Sequence, residues 1–172
     1  MSMHHAALLG LFAGALCGGV AAAGNPDLEV NLMKAMKFDK ASEKRIGSSG
    51  KAIQAYMKAG YVNQRPNGRA DYTDYYLLNK PATLLGHPLV LIEEEYMTRY
   101  AGCCVSKGIG VTVGVAGSLG ALKKFAAQNR CTLEENVDPG KQLRSFGIKN
   151  ALPKGTYASL SCRVRDAEQH AR

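Results

Sequence analysis

The segment Ala116–Gly120 (AGSLG) comes closest to a catalytic motif in this sequence. It places Ser118 between a predicted strand and a predicted helix, where a hydrolase exposes its nucleophile. Asp138 or Asp166 and then His170 follow in a suitable chain order. However, the chain after Ser118 is too short for the rest of a hydrolase fold, and serine at this position commonly caps a helix. A small envelope hydrolase using Ser118 therefore ranks below the non-catalytic hypotheses.

Three consecutive glutamates, Glu93 to Glu95, end an apolar strand candidate and could supply carboxylates for acid catalysis. Strand alternation places Glu94 on one face and its two neighbours on the other. A glycosidase-like pair needs a second acid across a cleft, which Asp71 or Asp74 would provide only if the fold brought it there. The simpler interpretation is a solvated strand end.

Other chemical patterns are weaker. Glycines recur between residues 108 and 120, but without the spacing of a phosphate-binding loop, so close approach of a helix or another backbone to Gly110 and Gly114 is the preferred interpretation. Beyond the N-terminal segment the histidines are His87 and His170, and neither has a cysteine or histidine partner at metal-ligand spacing. We expect no metal, no cofactor and no enzymatic activity.

The N-terminal segment has the pattern of an export signal. Residues 6–23 carry no charge, mix leucines with glycines, and end in three alanines before Gly24 and Pro26. Small residues at the −3 and −1 positions suit signal peptidase, although the first five residues lack Lys and Arg. We predict that residues 1–23 are a signal peptide cleaved between Ala23 and Gly24, and that the protein is periplasmic or secreted. An uncleaved anchor helix or a buried core helix is the alternative, but the glycines weaken a spanning helix.

Four of the five cysteines remain after this cleavage: Cys103, Cys104, Cys131 and Cys162. An even number in an exported chain favours disulfides. Three pairings are possible, of which a bond between the adjacent Cys103 and Cys104 is sterically least comfortable. We favour Cys131–Cys162, because both residues flank elements that should meet in the core.

Hydrophobic periodicity predicts an α+β fold, with an antiparallel sheet of about 4–5 strands and helices packed mainly on one face. Residues 24–70 form a basic helical segment and residues 71–172 a sheet domain, and together they make one domain. The predicted order is α-α-β-β-β-α-β-β. The clearest elements are strands at 72–78, 89–96, 109–115, 131–135 and 156–164, and a helix from Ser118 to about Arg130.

The formal net charge of +8 has several interpretations. Lysines between residues 30 and 60 could bind an anionic envelope polymer, although solvated helix faces are commoner. Export argues against nucleic acid, and after cleavage no segment is long and apolar enough to span a membrane.

The preferred hypothesis is a small exported protein that binds another envelope protein, as inhibitors and immunity proteins do. Tyrosine and arginine are enriched at binding hot spots, although ordinary sheet packing is the alternative role for these side chains. The predicted binding surface comprises Tyr72, Tyr75, Tyr76, Tyr96, Arg99 and Tyr100.

These interpretations predict a specific mass for the exported protein. Intact-mass spectrometry of the native protein should show a chain that begins at Gly24 and is two hydrogens lighter for each disulfide formed. A chain that still begins at Met1 would contradict the signal-peptide interpretation.

Overall fold

The fold was analysed in a computed structural model, which describes residues 25–95, 106–149 and 152–170. Within these residues the helices are α1 (Pro26–Met36), α2 (Ser49–Lys58), α3 (Gly120–Gln128), α4 (Pro139–Ser145) and α5 (Val164–Gln169). The strands are β1 (Phe38–Asp39), β2 (Lys44–Arg45), β3 (Gly68–Ala70), β4 (Thr73–Leu77), β5 (Thr83–Leu84), β6 (His87–Glu95), β7 (Gly108–Gly114), β8 (Thr132–Val137) and β9 (Tyr157–Arg163). No described helix is long and apolar enough to cross a membrane.

The first two helices begin at side-chain caps that their sequences provide. Asn25 Oδ1 accepts a hydrogen bond from the backbone N–H of Asp27 at 3.0 Å, and Pro26 occupies the first turn, where it removes no helical hydrogen bond. Ser48 caps α2 by accepting from the N–H of Lys51 at 3.4 Å. These caps fix the starts of the two helices on either side of the β1–β2 hairpin.

The main sheet has seven strands, and six of them lie in the order β3-β4-β6-β7-β9-β8, with β5 pairing separately with β6. Every pairing is antiparallel. In β7, Ile109, Val111 and Val113 lie on one face, and Gly110 and Thr112 lie on the other. The first face, which we call the helix face, carries α1, α2 and α3.

The main core lies between the helix face and these helices. Leu32 of α1, Ile53 of α2 and Leu122 of α3 belong to one buried cluster with Ile92 and Leu160 of the sheet. Residues 26–58 therefore share a hydrophobic core with the sheet, and this core positions the elements that carry the polar groups described below.

The opposite face of the sheet, the groove face, is covered at one end by a smaller apolar cluster. Leu143 of α4 and Ile148 pack there against Tyr75 and Leu91. A register shift between Leu89 and Leu91 lets Val90 join this cluster, instead of sharing the helix face with Ile92 as strict alternation predicts. The rest of the groove face is polar.

The predicted antiparallel α+β architecture is confirmed, but the predicted number and order of strands are wrong. The sequence analysis missed the short strands β1, β2, β3 and β5, because two or three residues show no recognisable period. Around Pro139, where no helix was predicted, Asp138 caps α4 by accepting from the N–H of Lys141 at 2.8 Å. The last strand ends one residue earlier than predicted, because α5 begins at Val164.

The favoured disulfide is present. Cys131 and Cys162 are bonded across β8 and β9, and both lie in the main core. Cys162 lies on the helix face of β9. The bond joins the edge strand β8 to the strand beside it and so protects the sheet edge from opening.

Replacing both cysteines, as C131A/C162A, should lower the free energy of unfolding. The bond closes a loop of 31 residues, and a loop of that length corresponds to about 3–4 kcal/mol of lost chain entropy in the unfolded state. Urea denaturation of both proteins measures the difference. An unchanged midpoint would show that the bond contributes nothing to stability.

A polar groove as the candidate functional site

The groove face contains a cavity of about 860 Å³ that is lined almost entirely by polar and charged side chains. Its walls come from β4, β6, β8 and β9 and from helices α4 and α5. We call this cavity the acidic groove, because five carboxylates and two guanidinium groups line it: Asp71, Glu93, Glu95, Glu134, Asp166, Arg163 and Arg165. The excess of carboxylates stands out in a chain whose formal charge is +8.

The floor of the groove is a buried ion-pair network centred on Arg163. Its Nη2 lies 2.7 Å from Glu93 Oε2, and its Nε lies 2.7 Å from Glu95 Oε2. The three side chains are 7%, 8% and 2% exposed, respectively. Because charges this deeply buried are stable only when paired, the Arg163 guanidinium serves as the counter-charge that Glu93 and Glu95 share.

Asp166 extends the network to the end of the sheet. Its Oδ2 accepts hydrogen bonds from Ser161 Oγ at 2.7 Å and from the backbone N–H of Arg163 at 2.6 Å, and its Oδ1 accepts from Thr132 Oγ1 at 3.1 Å. Ser161 Oγ also accepts from Arg163 Nη1 at 2.8 Å. The hydrogen bond from the Arg163 N–H to Asp166 is also part of the cap that starts α5, so Asp166 joins this helix to the network.

Gly110 explains how side chains on β6 and β9 can meet, although β7 lies between these strands. In the register, Glu93 is opposite Gly110 on one side, and Ser161 is opposite Gly110 on the other. A Cβ at position 110 would lie 2.8 Å from Arg163 Nη1 and 2.9 Å from Glu93 Oε2. Glycine therefore makes room for an ion pair here, whereas the sequence analysis had expected it to admit a helix or another backbone.

The surroundings keep Arg163 charged and Tyr75 protonated. Burial acts to lower the pKa of the Arg163 guanidinium, but Glu93, Glu95 and Asp166 more than compensate, so its pKa lies above the ordinary value. Burial, reinforced by the charge of Glu93, raises the pKa of the Tyr75 phenol to about 12. The Arg163 guanidinium therefore stays charged, and the Tyr75 phenol stays protonated, throughout the physiological pH range.

The rim of the groove is exposed. Asp71 and Tyr72 lie at the turn between β3 and β4, and Glu134 lies on the edge strand β8. Arg165 is half-exposed, and its Nη1 lies 3.2 Å from Glu95 Oε2. A partner that approaches the groove would meet these side chains before it meets the network on the floor.

The structure separates the tyrosines of the predicted binding surface. Tyr72 is exposed on the groove rim, but Tyr75 is buried against Phe146, with ring centroids 5.5 Å apart. Tyr76 is buried in the main core. Tyr75 and Tyr76 are therefore buried rather than exposed, and the binding role of the predicted surface stays a prediction.

Several predicted residues lie outside the described part of the chain. They are the leader with its cleavage position at Ala23 and Gly24, and Tyr96, Arg99, Tyr100, Cys103 and Cys104. The predictions made for them stand untested.

The structure does not assemble the Ser118 set. Ser118 Oγ accepts from the N–H of Gly120 at 3.2 Å at the start of α3. Asp138 caps α4 and Asp166 belongs to the groove network, while His170 Nε2 lies 3.2 Å from the carbonyl oxygen of Cys131. Each of these hydrogen bonds is made with a group outside the set.

Sequence reasoning missed the roles of Arg163 and Asp166. Arg163 follows the core residue Cys162, so strand alternation puts it on the opposite face, which is normally exposed to solvent. Only the pairing of β9 with β7, and of β7 with β6, brings it near Glu93 and Glu95. The available signal in the sequence was that glycines alternate along β7 while charged residues lie at the ends of β6 and β9.

No protein-family model, curated protein or solved structure matches the chain. Among the described residues, no group of three or more His, Cys, Asp or Glu side chains is arranged to hold a metal ion. The function is therefore inferred from the geometry and charge of the acidic groove.

Replacing Arg163 with methionine should destabilise the protein strongly. R163M removes the counter-charge of the buried Glu93 and leaves the buried Glu95 paired with the half-exposed Arg165, at a cost of roughly 3–5 kcal/mol in the free energy of unfolding. R165M is the matched control, because it removes a half-exposed arginine that pairs with the same Glu95, and about 1 kcal/mol or less is expected. Urea denaturation compares the two. Equal losses would contradict the central role of Arg163, and recovery in E93Q/E95Q/R163M would support it.

Proposed function

We propose that this is an exported, non-enzymatic protein of the periplasm or exterior that binds another protein, and that the acidic groove receives a basic segment of that partner. The carrying observation is the excess of carboxylates around a cavity of about 860 Å³ in a chain that is otherwise basic. Such a local reversal of charge attracts cationic groups and disfavours anionic ones.

The geometry of the floor supports recognition. Glu93, Glu95 and Asp166 are held by short hydrogen bonds and ion pairs to Arg163, Ser161 and their neighbours. A surface whose polar groups are already fixed loses little conformational entropy when a partner binds. The exposed rim carboxylates of Asp71 and Glu134 are then the groups that a lysine or arginine of the partner would contact.

The proposed compartment rests on the leader pattern and on the disulfide. The Cys131–Cys162 bond is of the kind that forms in oxidising compartments. An inhibitor or immunity protein acts in such a compartment by occupying a partner, which requires a rigid recognition surface.

Binding of an anionic envelope polymer remains the alternative, because exposed lysines surround the first two helices and the hairpin between them. Arg45 does not belong to that surface, since its guanidinium is engaged with backbone carbonyl groups. Polymer binding would depend on cationic side chains, whereas binding of a partner protein in the groove would depend on carboxylates. Neutralising lysines would abolish polymer binding, whereas neutralising rim carboxylates would abolish binding in the groove.

A charge-matched pair of double variants tests the proposal. D71N/E134Q neutralises the groove rim, and asparagine suits the positive φ of 47° at position 71. E43Q/E135Q is the control, because Glu43 lies on the β1–β2 hairpin and Glu135 on β8 pairs with Lys123, away from the groove. Both variants change the net charge equally.

The wild type and the two variants are immobilised and exposed to native envelope extract, and the retained proteins are identified by mass spectrometry. The affinity of each of the three proteins for the purified partner is then measured. D71N/E134Q should bind the partner about tenfold or more weakly, which corresponds to about 1.4 kcal/mol, while the control binds like the wild type. Equal binding by all three proteins, or equal loss in both variants, would overturn the assignment to the groove.

A further inference from the structure

A second cavity, of about 540 Å³, lies on the other side of α5 from the acidic groove. Arg165, Asp166 and Gln169 of this helix line the groove, whereas Val164 and Ala167 line the second cavity. We call it the basic cavity, because its lining includes four cationic side chains: Lys44, Arg45, Lys107 and Arg130.

Arg45 fixes the hairpin that forms one wall of the basic cavity. Its guanidinium donates to four backbone carbonyl groups, those of Met36, Asn129, Arg130 and Arg163. The hairpin is therefore tied to α1, to the turn after α3 and to the end of β9. The cavity wall is preformed, which reduces the entropy lost on binding a ligand.

An aromatic ring contributes an apolar surface to this cavity. Two guanidinium groups pack against the Phe38 ring, whose centroid lies 5.4 Å from Arg45 Cζ and 4.7 Å from Arg130 Cζ. Val164 is 44% exposed and also lines the cavity, as do Ala35 and Ala167. The cavity thus combines an apolar lining with cations.

The charges around the cavity are not balanced by its own acids. The acidic residues of the lining are Glu43 and Glu168, and Glu43 Oε1 is 3.8 Å from Arg130 Nη1. Burial lowers the pKa of Arg45 to about 10, so it is still a cation at neutral pH.

We propose that the basic cavity is a binding site for an amphiphilic anion, that is, a phosphate or carboxylate head joined to an apolar chain or ring. The cations receive the head, and Phe38, Val164 and Ala167 contact the apolar part. The volume lies within the range of small-molecule sites. This site is separate from the acidic groove and does not depend on the function proposed for it.

Octyl phosphate is a suitable probe, and isothermal titration calorimetry measures its binding. V164D places a carboxylate in the cavity at a position where the native side chain is exposed, and it should weaken binding about tenfold or more. V30D is the matched control, because Val30 of α1 is 62% exposed and does not line the cavity. It should bind the probe as the wild type does.

A second pair of variants keeps the test independent of the folding of V164D. K44Q/K107Q removes two cavity cations, and K40Q/K58Q removes two exposed lysines elsewhere. The first should weaken octyl phosphate binding about tenfold or more, and the second should change it less than about twofold. Inorganic phosphate and octyltrimethylammonium should bind far more weakly than octyl phosphate, because each lacks one of the two required groups.

Comparing octyl phosphate binding with binding to lipid vesicles distinguishes the source of the ligand. Binding of monomeric octyl phosphate with the expected variant pattern supports a free amphiphile. Co-sedimentation with phosphatidylglycerol vesicles but not phosphatidylcholine vesicles, lost in V164D and kept in V30D, supports a lipid head group at the same site. Absence of binding to both probes, or equal losses in variants and controls, would overturn the proposal.

Discussion

The ion pairs that Arg163 makes with Glu93 and Glu95 join β9 to β6 across the intervening strand β7. Buried charges constrain a structure more strictly than apolar contacts do, because an unpaired partner is costly whereas a displaced methyl group is tolerated. The register of three strands, the glycine at position 110 and the capped start of α5 are all arranged around this one guanidinium group.

The two faces of the sheet bury different kinds of side chain. The helix face buries the apolar residues that hold α1, α2 and α3, and it contains the Cys131–Cys162 bond. The groove face buries charge instead, in a network that remains polar toward the cavity. The core on the helix face and the disulfide hold the strands in register. The groove face can therefore keep an open cavity without a layer of helices above it.

Helix α5 separates two cavities of opposite character. Its sequence places Arg165, Asp166 and Gln169 toward the acidic groove and Val164, Ala167 and Glu168 toward the basic cavity. Arg45 contacts the carbonyl oxygen of Arg163 just before this helix, so the wall of one cavity is bonded to the strand that forms the floor of the other. A +8 chain thus carries a local acidic site and a local basic site within one helix diameter of each other.

Local pattern by itself determined the antiparallel α+β class and the approximate positions of β6, β7 and β9, because these depend on the period of neighbouring residues. Among three possible pairings it favoured Cys131 with Cys162, and the structure contains that bond. The leader and its cleavage at Gly24 rest on the same kind of pattern and stay predictions. Tertiary structure alone decided that Arg163 meets Glu93, that Tyr75 and Tyr76 are buried, and that the short strands β3 and β5 form. The physical reason is that these features depend on which strands become neighbours, and strand order is set by the packing of the whole chain rather than by any one segment.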